Sequence, residues 1–157
     1  MVDDNPEAGH LISQLLRRRD YEVASITDHA TTVGTLSVQD EPIAGVVAAF
    51  SLTGTTAGLR LVDALRNHPL ESVNQVRVLL ISDQPRQQIF CLQAGADGIL
   101  LRPFAGDDLC DATDAMVQRS EPDRIPYRRS MVELLKVDLA RDGEHGEPVG
   151  AGAGAFS

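Results

Sequence analysis

Three stretches of this chain carry side chains able to do chemistry. Asp3 and Asp4 stand together just ahead of Asn5-Pro6-Glu7, Ser82 closes the run VRVLLI, and Arg102 precedes Pro103 after GILL. Adjacent carboxylates suit a hard cation, which takes oxygen ligands. A hydroxyl and a guanidinium suit a phosphoryl group, through charge-assisted hydrogen bonds. Each also has a plainer reading. An Asp before a helix caps it, a Ser ending a strand turns the chain, and an Arg makes an ion pair. Their shared position makes them a candidate site: all fall at carboxyl ends of strands, where an open parallel sheet gathers its ligands.

A fourth strand end has the shape of a site without the chemistry. Val46-Val47-Ala48-Ala49-Phe50 opens into the Gly- and Thr-rich loop SLTGTTAG, yet between Glu41 and Asp63 there is no acid, His or Cys.

The elements that must position these residues alternate along the chain. Asn5-Pro6-Glu7 reads as a helix start with cap, Pro in the first turn and an acid, and Leu11, Ile12, Leu15 and Leu16 continue it as an apolar stripe. Tyr21 to Ile26 alternates like a short strand, and a weak helix capped by Asp28 runs to Val38. Ile43–Phe50, Val76–Ile81 and Gly98–Leu101 are near-continuous apolar strands, as expected where helices cover both sheet faces. Between them lie helices around Leu59–Leu65, from Arg86 to Ala94 closed by Gly95, and from Asp107 to Gln118. The alternation predicts a doubly wound α/β fold with a parallel sheet and right-handed crossovers. That domain spans 1–120. Residues 121–141 read as a linker, Glu121-Pro122-Asp123, followed by an amphipathic helix, and the Gly-rich 142–157 reads as a disordered tail.

Composition excludes several classes of function. The net charge of −9, with fourteen scattered basic residues, argues against nucleic acid, whose phosphates need clustered Lys and Arg. The one basic run, Arg17-Arg18-Arg19, ends a helix and complements its dipole. No stretch has the roughly 18 apolar residues of a membrane span, and the first residues, MVDDNPEAGH, lack the pattern of a signal peptide. Cys91 and Cys110 fall in helical patterns without CxxC spacing and read as buried free thiols, so a cytoplasmic location is expected. His10, His29 and His68 fall on helices or helix ends and read as exposed. With no GxGxxG or GxxxxGK[ST] loop, an enzyme of this fold is not expected.

Together the motifs resemble the receiver domain of two-component response regulators. "VDDNP" is similar to the acid-pair loop after that family's first strand, "VRVLLIS" to its fourth strand with terminal Ser/Thr, and "QAGADGILLRPF" to its "aGAddyltKPf" signature. The resemblance covers Val2 to about Arg119. It implies a flavodoxin-like sheet of strand order 2-1-3-4-5. It also implies a chemistry in which an Asp ending the third strand takes a phosphoryl group from a phosphohistidine. In that chemistry a magnesium ion bridges the acceptor to the acid pair, while the Ser/Thr and a Lys ahead of Pro hold phosphoryl oxygens. Carried over, Asp3 and Asp4 match the metal-binding acids, Ser82 the hydroxyl and Arg102 the Lys, with Pro103 following a cis bond. The acceptor position falls on Phe50 when counted back from Gly58, or on Ala49 when "FSLTG" is matched to "LSLPG". Neither is a carboxylate. Arg102 is a planar fork rather than a compact ammonium, and Ile99 stands where the family often has a switching Tyr or Phe.

The expectation is therefore an atypical receiver lacking the acceptor Asp. It would act without phosphorylation as a protein-interaction module for a histidine kinase or an effector, with a weak or vestigial magnesium site, and would dock through the face formed by the fourth helix, fifth strand and fifth helix. The alternatives are a working receiver that uses a substitute acceptor, Asp83, and a flavodoxin-like ligand-binding domain. The first strand is also expected to be truncated, since only Met1 and Val2 precede the acid pair. A central strand so short should leave a gap beside the third strand or draw the second strand inward, and an apolar segment of about five residues before Val2 should stabilise the sheet.

Overall fold

A computed structural model describes residues 1–3, 5–50 and 57–154, with the side chains of residue 29 and residues 145–154 set aside. The elements follow the alternation in the sequence. Helix α1 spans Pro6–Arg18, α2 His29–Ser37, strand β1 Val46–Ala49 and α3 Ala57–Arg66. A short α4 at Glu71–Asn74 precedes β2 (Val78–Ser82), α5 (Pro85–Ala94), β3 (Gly98–Leu101), α6 (Gly106–Gln118) and α7 (Glu121–Gly154). Asn5 caps α1 by accepting the Glu7 and Ala8 N–H groups, and Asp28 caps α2 by accepting that of Thr31. Gly95 closes α5 in the left-handed conformation, φ +114°, where a residue without Cβ carries no steric penalty.

The strands β1, β2 and β3 pair in parallel in that order. Beyond β1, Val2 bridges both Ala48 and Ile26. The full succession is therefore Ile26, Val2, β1, β2, β3, which is the flavodoxin-like order 2-1-3-4-5 with its first two strands reduced to single bridges. Of the predicted strand from Tyr21 to Ile26, Ile26 forms the bridge to Val2 and the Ala24 carbonyl accepts from the Met1 nitrogen at 2.8 Å. Met1 to Asp3 are tied on both sides. Val2 N–H donates to Val47 O at 2.8 Å and Ala49 N–H to Val2 O at 3.0 Å; Ile26 N–H donates to Met1 O at 2.9 Å and Asp3 N–H to Ile26 O at 3.1 Å.

Strand alternation builds two cores. Val46, Ala48, Phe50, Val78 and Leu80 face one cluster with Leu61, Leu65 and Cys91. Val47, Leu79 and Ile81 face the other, with Ile12, Leu16, Leu109 and Met116. Every residue of β1 and β2 is buried, which explains their unbroken apolar sequence. Both cysteines are buried free thiols, and burial pushes the Cys91 thiol up to about 12.

One close approach limits substitution. A Cβ on Gly58 would lie 2.8 Å from Phe50 Cα and 3.2 Å from its carbonyl oxygen. Backbone cannot yield as a flexible side chain can, so Gly58→Ala is expected to destabilise the domain by about 1–3 kcal/mol, measurable by urea denaturation.

The chain beyond Ser120 departs from the sequence reading. Glu121-Pro122-Asp123 is not a linker but the first turn of α7. A proline in the first turn gives up a backbone N–H that has no helical partner there, and Ser120 bonds the Asp123 carboxylate. The backbone stays helical to Gly154, across residues that read as a disordered tail. Extending an existing helix adds one hydrogen bond per residue without a new nucleus. Residues 155–157 lie outside the described residues.

α7 is held by buried charge. Asp97, 1% exposed, accepts from Arg124 Nε on Oδ1 at 2.8 Å. Its Oδ2 accepts from Arg66 Nη2 at 2.9 Å, Val78 N–H at 3.0 Å and Arg124 Nη2 at 3.1 Å. Arg124, itself buried, also donates to Gln75 O and to Glu121. The Glu121 carboxyl is held below its ordinary range by its bond to Arg124, with Arg77 adding to the effect.

Candidate functional site

The carboxyl edge of the sheet brings together Asp3, Ser82, Asp83 and Arg102 with the end of β1. The register sets Ala49 opposite Ile81, and Phe50, the next residue, donates its N–H to Ile81 O at 2.7 Å. Phe50 therefore stands level with Ser82. On the other side of β2, Arg102 N–H donates to Ser82 O at 2.8 Å, and the Arg102–Pro103 bond is cis. Asp4 and the Ser51 to Thr56 loop fall outside the described residues.

Ser82 is fully buried and its hydroxyl is engaged locally. Its Oγ lies 2.9 Å from the Gln84 carbonyl and 3.0 Å from Gln87 Oε1, which compete for its single proton, and accepts the Gln84 N–H at 3.2 Å. Arg102 reaches between two acids. Its Nη2 lies 3.6 Å from Asp3 Oδ2 and its Nη1 lies 3.6 Å from Asp83 Oδ1. At that distance these are ion pairs without a hydrogen bond. Asp3 is 5% exposed, and its Oδ1 takes the Asn5 N–H at 2.9 Å. Its Oδ2 is buried with no hydrogen-bond partner among the described residues.

A hard divalent cation needs several oxygen ligands. Among the described residues no group of three or more His, Cys, Asp or Glu could hold a metal ion. The corner offers one buried carboxylate with a guanidinium against it, and a cation there would face that positive charge. The described donor set does not fit magnesium.

The end of β1 supplies only apolar bulk. Ala49 is 1% and Phe50 3% exposed, and Phe50 packs into the core. Ile99 packs against the same core. His10 is exposed as expected, but His68 is half-buried. Its Nδ1 accepts the Leu70 N–H at 3.1 Å, which leaves Nε2 for Ser37 Oγ at 3.1 Å. Sequence reasoning missed Asp97 and Arg124. Asp97 lies inside the GAD motif, and Arg124 follows the Pro of a first helical turn, but neither position signals burial.

Comparison with known proteins accords with this arrangement. The family model for the response regulator receiver domain matches residues 1–114. The transcriptional activator protein PfeR of Pseudomonas aeruginosa is 29% identical over 152 residues, 96% of this chain; the chain spans 48% of that relative's length. Two solved structures share the fold. The chemotaxis response regulator CheY4 of Vibrio cholerae is 20% identical, with a TM-score of 0.62 over 73% of this chain and 93% of its own. The receiver domain of a sensor histidine kinase from Pseudomonas aeruginosa, with magnesium coordinated in its active site cleft, is 22% identical, with a TM-score of 0.65 over 75% and 94%. Among the described residues no helix is long and apolar enough to cross a membrane. With its strand order, its Ser82 and Arg102-Pro103 strand ends and a match across most of its length, this chain belongs to the receiver domain family of two-component response regulators.

Proposed function

We propose that this chain is a receiver that works without phosphorylation, as a cytoplasmic protein-interaction module of a two-component pathway. The observation that carries the reading is the end of β1: Ala49 and Phe50 are buried and apolar, and Phe50 stands level with Ser82. A phosphoryl group needs a nucleophile there, and a phenyl ring cannot attack phosphorus. The neighbouring groups support the same view. Ser82 is occupied by Gln84 and Gln87, and Arg102 is held by Asp3 and Asp83, which takes the place of a cation. The partner is a protein, either a histidine kinase or an effector, docking on the face formed by α5, β3 and α6, where Phe90 is 58% exposed. The module itself is not an enzyme.

One observation favours a second reading. Asp83, half-exposed at the rim and beside Arg102, is the acid placed to serve as a substitute acceptor. A single experiment decides between the two. After incubation with acetyl phosphate and magnesium, intact mass should show no added phosphoryl group, and calorimetry should show weak or no magnesium binding. A phosphoryl group that Asp83→Ala removes would establish the second reading instead.

A further inference from the structure

A groove of about 730 Å³ lies between the carboxyl end of α5 and α7, and it shares no lining residue with the strand-end site. On α7 its wall is one helical face, where Ile125, Arg129, Val132 and Lys136 recur every three or four residues. From Ile125 to Lys136 that face is about 16 Å long, or roughly three turns. Leu92 and Val132 are buried and form an apolar floor, while Ile125, in the same groove, stays exposed.

The groove is charged opposite to the chain. The sequence carries 23 acids against 14 Lys and Arg, yet Arg66, Arg128, Arg129 and Lys136 line the groove, with Glu133 as its one acid among the described residues. Glu133 is taken by Lys136 at 3.2 Å. Arg66 pairs with Asp97, and Arg128 donates to Gly95 O at 2.9 Å, a carbonyl that also accepts from Arg66. Among the described residues no ion pair engages Arg128 or Arg129. Burial lowers the Arg66 guanidinium below its ordinary value; Asp97 opposes this, and the charges of Arg124 and Arg128 push it further down. The groove thus gathers positive charge that its own acid does not balance.

We propose that this groove docks an acidic amphipathic helix of a partner protein, its apolar side on Leu92, Ile125 and Val132 and its carboxylates against Arg128, Arg129 and Lys136. Guanidiniums pair with carboxylates through charge-assisted, often bidentate bonds. A concave apolar floor suits a helix laid into it with anchors at successive turns. Other occupants fit less well. A second copy in a two-fold contact would set the same Arg and Lys face against itself. No aromatic side chain lines the groove to stack a nucleic-acid base. A floor sunk in a groove cannot enter a flat lipid surface as a protruding apolar face does. The site is independent of whether the chain takes a phosphoryl group.

The test uses the full chain and a fluorescent, capped peptide of about twelve residues, long enough to match the α7 face, with Leu on one helical side and Glu on the other. Anisotropy should show saturable binding that weakens at least about tenfold in the Arg129→Glu/Lys136→Glu double variant. Ile125→Ser should weaken it about threefold. All three positions are exposed, so circular dichroism should show both variants folded. Peptides with Lys for Glu, or with Ser for Leu, should bind at least about tenfold more weakly than the parent peptide. No binding of the Leu–Glu peptide, or equal binding by both variants, would overturn the proposal. So would tighter binding to phosphatidylglycerol vesicles or to a single-stranded oligonucleotide that the double variant abolishes, because the occupant would then be of another class. A dimer of the chain that the double variant dissociates would overturn it as well.

Discussion

Asp97→Ala is expected to lower the unfolding free energy by about 4 kcal/mol, because removing one partner of a buried ion pair strands the other charge. Two guanidiniums converge on this carboxylate, Arg66 and the 5%-exposed Arg124; Arg66 would lose its ion pair, and Arg124 would keep only the pair with the exposed Glu121. Against the roughly 5–15 kcal/mol stability of a domain, that loss is large. The urea midpoint should fall by roughly 2 M, at ~2 kcal/mol per M. Arg124→Ala should cost less, since Asp97 keeps Arg66 and the Val78 N–H. The double variant should be much less destabilised than the sum, because each change already breaks the shared contact. Additive losses, or a midpoint within 0.3 M of the parent for Asp97→Ala (roughly 0.6 kcal/mol at that slope), would show that α7 is held by something else.

The second large effect concerns the absent nucleophile. Phe50→Asp should give the chain an acceptor, seen as one added phosphoryl group by intact mass after treatment with acetyl phosphate and magnesium. Ala49→Asp should not, because Ala49 pairs with Ile81, one residue short of Ser82. Arg102→Lys added to Phe50→Asp should speed the reaction about tenfold, equivalent to ~1.4 kcal/mol in the barrier. A compact ammonium has room beside a phosphoryl group and a cation that a planar fork held by two acids lacks. The acceptor carries a stability cost. Phe50 is 3% exposed in the core, so its loss should destabilise by about 3–5 kcal/mol and lower Tm. Phosphorylation is therefore read at a temperature where circular dichroism shows the variant folded. A folded double variant that takes no phosphoryl group would place the acceptor elsewhere or show the pocket too altered to serve.

Much of this was legible in the residues alone. Caps are local chemistry, so Asn5-Pro6-Glu7, Asp28 and Gly95 marked their helix ends correctly. The apolar runs of β1 and β2 announced strands buried on both faces, since no polar residue interrupts them. Motif order placed Ser82 and Arg102 at neighbouring strand ends, and the β2–β3 register joins them directly. The short helix α4 escaped notice because Glu71-Ser72-Val73-Asn74 is too brief for periodicity, and its Leu70 cap makes no side-chain bond. Glu121-Pro122-Asp123 misled because proline interrupts a helix interior but is welcome in a first turn.

The sequence by itself determined what each segment can become, because helix caps, strand hydrophobicity and the lack of a carboxylate at Ala49 and Phe50 are properties of neighbouring residues. Tertiary structure alone decided which charges are buried and which backbone groups find partners. Asp97 and Arg124 look like any surface acid and base until α7 folds back across the start of β3 and removes them from water. Likewise, Met1 to Asp3 are too few to read as a strand. They become one because Ile26 and β1 present hydrogen-bonding edges on both sides, and a buried amide must be paired wherever the fold places it.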